Sequence, residues 1–316
     1  MNKYFKIGVM TILIIITAVS SYLYYLHAVL ERNVERIQIT FEEDTDIFPK
    51  ENNGKKALLF LLLGIGDRPV LGDPGRADSI IVISVNPSIK SAVMFSIPRD
   101  TRTKIIGKGF QDKINHSYAY GGTEMTKKTV EHFLNKSIDY VIQVNMEGLR
   151  QLVDAVGGIQ VENEFPFEEK DELGEKVYYY DKGLVNLDGE RALHYTRMRK
   201  SDPRGDFGRN ERQRQVLIAL VQKSTAFSSV FKIQEIINIL GENIKTNIPF
   251  KEMKLFCDEF RKDGSSYNIE TLEIKGTDKT IDGIYYYIVS EEECWRIANK
   301  LDLNSLTETE NFRERT

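Results

Sequence analysis

The longest apolar run lies at the N-terminus, Ile7 to Leu26 (IGVMTILIIITAVSSYLYYL), and carries no charge. At roughly 20 residues it matches the hydrocarbon core of a bilayer. Lys3 and Lys6 precede it, which puts the N-terminus in the cytoplasm. Tyr22, Tyr24 and Tyr25 at its far end suit the membrane–water interface. A cleaved signal peptide competes with this reading, because Ala18-Val19-Ser20 resembles a small-residue cleavage site. The length of the run and its bulky aromatics favour an uncleaved anchor. The pattern thus predicts a single-pass cell-membrane protein: a cytoplasmic N-terminus over 1–6, a transmembrane anchor over 7–29, and an extracellular remainder.

Residues 30–56 are polar and charge-rich, with Pro49 and Asn52-Asn53-Gly54, and read as a stalk. The folded domain is expected over 57–303. Ala57 to Ile65 (ALLFLLLGI) is a continuous apolar run of the kind found in a central strand buried on both faces. Ser79 to Val85 and Ser91 to Ile97 predict two more strands, antiparallel because only Asn86-Pro87-Ser88 and two further residues join them. Helical periodicity marks Thr123–Leu134, Met146–Val156, Asn210–Lys223, Phe231–Asn243 and Pro249–Arg261, with a short helix from Asp188 to His194. Gly157-Gly158 suits a helix C-terminus, and Ser290 with Glu293 opens a final helix as a capping box. Further strands are expected at Tyr140–Val144, Ile159–Val161, Ile269–Ile274 and Ile284–Val289, and a polar tail over 304–316. Helices and apolar strands alternate without repeats, which argues for one α/β domain with helices covering a mixed sheet.

Composition narrows the function classes. The formal net charge of -4 argues against general nucleic-acid binding. The two cysteines, Cys257 and Cys294, form neither a metal cluster nor a disulfide framework; outside the cell they pair or remain buried thiols. The four histidines lack zinc-ligand spacing. No Gly-x-Ser-x-Gly elbow or Walker loop is present in the sequence.

Three charged clusters follow strands or precede helices. Gly64 to Ser79 (GIGDRPVLGDPGRADS) places Asp67, Arg68, Asp73, Arg76 and Asp78 among glycines. Carboxylates beside arginines suit a metal–phosphate site, and a solvated surface loop also explains them. In Ser96 to Arg102 (SIPRDTR), Arg99 follows a strand directly behind Pro98; it serves either an anion or an ion pair with Asp100 or another carboxylate. Tyr195 to Gln215 carries seven cations, Arg197, Arg199, Lys200, Arg204, Arg209, Arg212 and Arg214, against three acids. Arg197 and Arg199, if extended, point to one side and could grip one diphosphate. Arg209 and Gln213 share a helix face near its N-terminus, which attracts anions. A basic patch for lipid headgroups is the alternative, but the interleaved Gly, Asp and Pro favour a shaped pocket. Asp112-Lys113-Ile114-Asn115-His116 reads as structural hydrogen bonding, and His194 as a packed helix residue.

These clusters, with GRADS, SIPRDT, KINHSYAYGG, LVDAVGGI, LDGERALHYTRMR and GDFGRNERQRQ in this order, resemble the LytR-CpsA-Psr family over about residues 57 to 225. The resemblance implies a three-layer α/β/α sandwich with a mixed central sheet. It implies a phosphotransferase that attaches teichoic acid or a related anionic glycopolymer to peptidoglycan from a polyprenyl-pyrophosphate carrier, with Mg²⁺ as cofactor and an apolar channel for the lipid tail. By motif position, Arg76, Arg99, Arg197, Arg199, Arg209 and Gln213 would bind the pyrophosphate. Arg99, Arg197 and Arg199 would stabilise charge in the reaction, Asp206 would support an arginine, and Asp78 with Asp67 would hold the metal. The sequence departs from the family in one place: Gly66 stands where members usually carry Asp, and Asp67 follows it. The expected partners are the lipid-linked glycan, the peptidoglycan acceptor and the membrane. A polyprenyl-pyrophosphate hydrolase and a non-catalytic lipid-binding or regulatory envelope protein are the competing classes.

Overall fold

The computed structural model describes residues 36–41, 57–66, 74–171, 174–225, 239, 241–263 and 267–305. The expected anchor over 7–29, most of the helix expected over 231–243, and Asp67, Arg68 and Asp73 lie outside the described residues. Among the described residues no helix is long and apolar enough to cross a membrane.

Strand β1 (Leu58–Gly66) alternates strictly: Leu59, Leu61, Leu63 and Ile65 are buried, whereas Leu58, Phe60 and Leu62 are only half-buried. The continuous apolar run therefore has one dry face and one partly covered face, where burial on both was expected. β2 (Arg76–Asn86) and β3 (Ser91–Ser96) follow as an antiparallel meander. The turn between them forms because Asn86 Oδ1 accepts from the backbone N–H of Ser88 at 3.0 Å. A small hairpin, β4 (Arg102–Lys104) and β5 (Gln111–Lys113), leads into helix α1 (His116–Leu134). Gly121 and Gly122, whose backbones are non-helical, kink it into two helical pieces, and the longer second piece accounts for the periodicity starting at Thr123.

β6 (Tyr140–Asn145) pairs parallel with β1 and runs into α2 (Met146–Ala155), which Asn145 caps by accepting from Gly148 N–H. Gly157 and Gly158, at φ 80° and 83°, end the helix as expected. Next come β7 (Ile159–Asn163), β8 (Phe167–Lys170), β9 (Val177–Tyr180) and β10 (Gly183–Leu187), paired as β7 with β10 and β8 with β9. Asp188 caps α3 (Gly189–Arg197), and α4 (Asp206–Thr225) starts four residues before the expected Asn210. β11 (Ile244–Thr246), α5 (Phe250–Asp263), β12 (Asn268–Leu272), the hairpin β13 (Thr277–Ile281) and β14 (Ile284–Ile288), and α6 (Glu291–Ser305) complete the chain. Ser290 Oγ accepts from Glu293 N–H, one half of the expected capping box; the Glu293 carboxylate instead takes Lys275 N–H and Arg296.

The main sheet has the order β11-β6-β1-β2-β3-β12, with parallel and antiparallel pairs. Its dry face packs against α1 and α6 through Val130, Leu134, Ile297 and Leu301. On the other face, Arg214 of α4 donates to Ser96 of β3, and Phe256 of α5 meets Phe60 edge-on at 5.7 Å. Helices thus cover both faces of a mixed sheet, as alternation of elements predicted. A second core, centred on Phe167, Tyr180 and Tyr195, joins α3 and α4 to the smaller hairpins.

Two boundaries differ from the reading of composition. Within the segment read as a stalk, Ile37 is buried and Ile39 N–H donates to Thr246 O at 2.8 Å, so residues 36–41 extend the sheet edge at β11. Asn304, expected to begin a polar tail, is buried and donates to Ser84 O at 3.1 Å, fastening α6 to the sheet.

Candidate anion-binding site

β1, β3, β6 and β12 all end, and β2 begins, at one edge of the sheet, because β2 and β11 alone run against the others. Open α/β sheets form ligand crevices at such strand ends. Here Gly64 pairs with Ser79 and Ile65 with Ala77, so Asp78 is the extra residue of a β-bulge. A bulge re-aims its side chain out of the regular alternation. The Asp78 carboxylate consequently lies over Gly66: a Cβ on Gly66 would stand 2.4 Å from Asp78 Oδ2. The space that a side chain at position 66 would need is filled by Asp78, which is the structural meaning of the departure noted there.

Arg99, presented by the turn after β3, donates Nη1 to Asp78 Oδ1 at 2.8 Å. Its Nε lies 3.8 Å from both Asp100 and Asp206, too far for a hydrogen bond, and has no partner although buried. Arg209, one turn into α4, is paired with Asp206 at 2.9 Å and donates to the backbone oxygen of Asp78 at 3.3 Å. Its Nε is likewise buried without a hydrogen-bond partner. Burial alone would lower the Arg99 pKa, but Asp206, Asp78 and Asp100 outweigh it and raise it. Arg209 shows the opposite balance: burial pushes its pKa down, against Asp206, with Arg99 and Arg199 adding to the depression. A desolvated cation beside two others is relieved by an incoming anion. Guanidinium groups gathered at this point suit phosphate oxygens.

Arg199 is exposed and lines a cleft of about 480 Å³ together with Asp100 and Asp206. Gln213 donates weakly to Thr196 O at 3.5 Å, and its Oε1 is buried without a partner. Arg76 sits on β2 opposite Gly66, and its charge acts on Tyr120. Extended, Arg197 and Arg199 would point to one side. Instead Arg197 is the last residue of α3, where its charge lowers the pKa of His194 after the larger effect of burial, and the extended turn falls at Met198. Of the expected pyrophosphate-binding residues, Arg199 alone lines this cleft; Arg76, Arg99, Arg197, Arg209 and Gln213 do not.

The rest of the basic stretch is committed elsewhere. Arg212 is buried, donating to Asp202 Oδ2 and to Met198 O, both at 2.6 Å. Arg214 reaches Ser96, and Arg204 bridges Glu164 and Glu211. Asp202 approaches α4 so closely that a Cβ on Gly208 would overlap its carboxylate. His194 is buried and stacked on Tyr178 with centroids 4.2 Å apart, as its helical context predicted. Asp112 accepts from His116 Nδ1 at 2.8 Å and from Tyr120 at 2.7 Å, the structural network expected of it; these bonds outweigh burial and lower its pKa.

From the segment read as structural, Lys113 reaches Asp100 at 2.7 Å; the aromatic hairpin β13–β14 beside the cleft was given no site role by sequence reasoning. The IYYY run of β14 was the available signal. No group of three or more His, Cys, Asp or Glu side chains suited to a metal occurs among the described residues. Mg²⁺ needs only one or two carboxylates when substrate phosphates complete its shell. Asp78, whose Oδ2 is not held by Arg99, fits that smaller requirement; Asp67 lies outside the described residues.

The chain is similar to known proteins over most of its length. Residues 23–303 match the model of the LytR_cpsA_psr family. The polyisoprenyl-teichoic acid–peptidoglycan teichoic acid transferase TagU of Bacillus subtilis (strain 168) is 40% identical over 302 residues, 95% of each chain. The crystal structure of B. subtilis TagU superposes with a TM-score of 0.63 at 42% identity, covering 80% of this chain and 99% of that one. A structure of TagT bound to LIIa-WTA gives a TM-score of 0.65 at 30% identity, covering 80% and 92%.

Proposed function

The chain belongs to the LytR_cpsA_psr family, and on that premise we propose that it is a polyisoprenyl-teichoic acid–peptidoglycan teichoic acid transferase of cell-wall biogenesis. The observation that carries the reading is the convergence of Arg99 and Arg209 at the strand ends, where both meet Asp78 and Asp206 and Arg99 stays partly open to solvent. Phosphoryl transfer asks a protein mainly to position the reactants and neutralise charge. Arg99 and Arg209, with Arg199 at the cleft, are placed to receive the oxygens of a diphosphate. Asp78 and Asp206 fix the two guanidinium groups in orientation.

In the reaction, a muramic-acid hydroxyl oxygen of peptidoglycan bonds to the phosphorus next to the glycan. The bridging P–O bond breaks, polyprenyl phosphate leaves with the electron pair, and the hydroxyl proton passes to solvent. Mg²⁺ held through Asp78 supplies further neutralisation of the diphosphate when bound. Arg76, Arg197 and Gln213 belong to the same site by motif position. The half-buried face of β1, with Leu58, Phe60 and Leu62, suits the lipid tail. The apolar run over 7–29 would hold the enzyme at the outer face of a Gram-positive cell membrane, where a lipid-linked donor is concentrated in two dimensions.

The test is reconstitution of the full chain in bilayers with a polyprenyl-pyrophosphate-linked glycan, peptidoglycan and Mg²⁺. Glycan bound covalently to peptidoglycan is expected. Free phosphoglycan as the sole product would indicate hydrolysis, and retained lipid with no product a binding protein; either would overturn the reading.

A further inference from the structure

The cleft beside Arg99 has an aromatic wall that diphosphate binding does not use. Phe207, Tyr285 and Tyr287 line it, facing Arg199 and Lys200. The wall is rigidly attached to the reactive loop. Tyr287 N–H donates to Asp100 O at 2.9 Å, its hydroxyl donates to Ile274 O at 3.1 Å, and its ring meets Phe207 edge-on at 5.2 Å. Those contacts fix β14, and β14 in turn presents Tyr285. The Tyr285 hydroxyl is taken up by Asp278 at 2.7 Å, and the Lys113 ammonium lies over the ring, 5.8 Å from its centroid. The ring nevertheless remains 43% exposed.

We propose that this wall is a subsite for a pyranose ring, stacked on Tyr285 next to the transferred phosphate. A fixed aromatic face matches the C–H face of a sugar, and a few convergent polar groups match its hydroxyls. Asp100 and Asp206 in the same cleft can accept from hydroxyl groups, and Lys200 and Arg199 can donate. Asp100, Asp202 and Asp206 outnumber Arg199 and Lys200 in the lining, which disfavours a run of phosphates beyond the diphosphate itself, so the occupant is a sugar ring and not the polyanionic part of the polymer. The inference rests on the proposed transfer reaction, in which the phosphodiester is flanked by sugars on both sides. The ring could belong to the acceptor strand or to the phosphate-linked end of the donor glycan.

The experiment has a binding arm and a kinetic arm, both with the full chain in lipid nanodiscs. In the first, saturation-transfer NMR uses an N-acetylglucosamine tetramer as the probe. Signal on the probe's ring protons is expected with the wild type, a fall of about tenfold with Tyr285→Ala, and retention with Tyr285→Phe, which keeps the ring. Tyr179→Ala, at an exposed tyrosine of a different hairpin, should leave the signal intact. No signal with the wild type, or full signal with Tyr285→Ala, overturns the proposal. In the kinetic arm, a raised KM for peptidoglycan alone assigns the subsite to the acceptor, and a raised KM for the lipid-linked donor alone assigns it to the donor. Unchanged KM for both overturns it. Probe binding that depends on Tyr285 in a protein that transfers nothing would sink the transferase reading while leaving the sugar subsite in place.

Discussion

Two arginine–aspartate arrangements in the molecule have opposite characters. Arg212 and Asp202 have side chains only 5% and 0% exposed; the arginine also donates to Met198 O, and its Nε, like that of Arg99, is buried without a partner. Arg99 and Asp78, at 20% and 21%, open onto the strand ends, where the Arg99 Nε has no hydrogen-bond partner. Both use a guanidinium against carboxylate. In the first the pair is closed by protein and fixes the loop between α3 and α4. In the second the carboxylates hold the cation in orientation but leave part of it open to solvent. Charge density alone therefore does not mark a binding site; what marks it here is a cation that stays reachable after the protein's own bonds are made.

Substitutions can break this contrast. The largest effect is expected at the closed pair. Arg212→Ala leaves Asp202 buried and unpaired, which should cost roughly 3–5 kcal/mol of stability. Thermal unfolding should register this as a Tm lower by about 10 °C, and replacing both partners together with apolar residues should recover much of it. A near-normal Tm for the single variant would show that the pair is not what closes the loop. Next comes the open pair. Arg99→Ala should fold with nearly unchanged Tm yet lose about a hundredfold or more in kcat, measured with lipid-linked donor and peptidoglycan. Turnover like wild type would remove Arg99 from the reaction. The smallest effect is at His194. Burial lowers its pKa below the ordinary 6.5, so the unfolded chain takes up the proton first. Stability should fall as pH drops from about 6.5, and His194→Phe, which preserves stacking on Tyr178, should flatten that decline in urea titrations at successive pH values.

Legibility in the sequence followed the strength of local signals. β1 to β3 were plain because their apolar runs are long and Asn86-Pro87 is turn chemistry. α2 and α3 were plain because Asn145 or Asp188 caps them and glycines or a breaker follow. The first turn of α4 was missed because Asp206, Phe207, Gly208 and Arg209 carry no helical periodicity; it is held by Asp202 lying against Gly208. β13 was missed because it is almost entirely exposed and polar, and only its pairing with β14 makes it a strand. For the site, motif order and arginine chemistry pointed to Arg99, Asp78, Asp206 and Arg209. Composition could not separate Arg212, Arg204 and Arg214 from them, since Glu164 and Ser96 reach Arg204 and Arg214 from distant segments and Asp202 meets Arg212 only once the loop before α4 is folded.

Asp78 occupies the position that the β1–β2 ladder skips. Ala77 and Ser79 keep the partners and faces they would have if it were absent. The carboxylate that orients Arg99 is therefore a passenger on the sheet: it can be exchanged, or even dropped from the chain, without turning its neighbours over. Architecture and reactivity are written on separate residues here, which leaves each free to drift while the other is held.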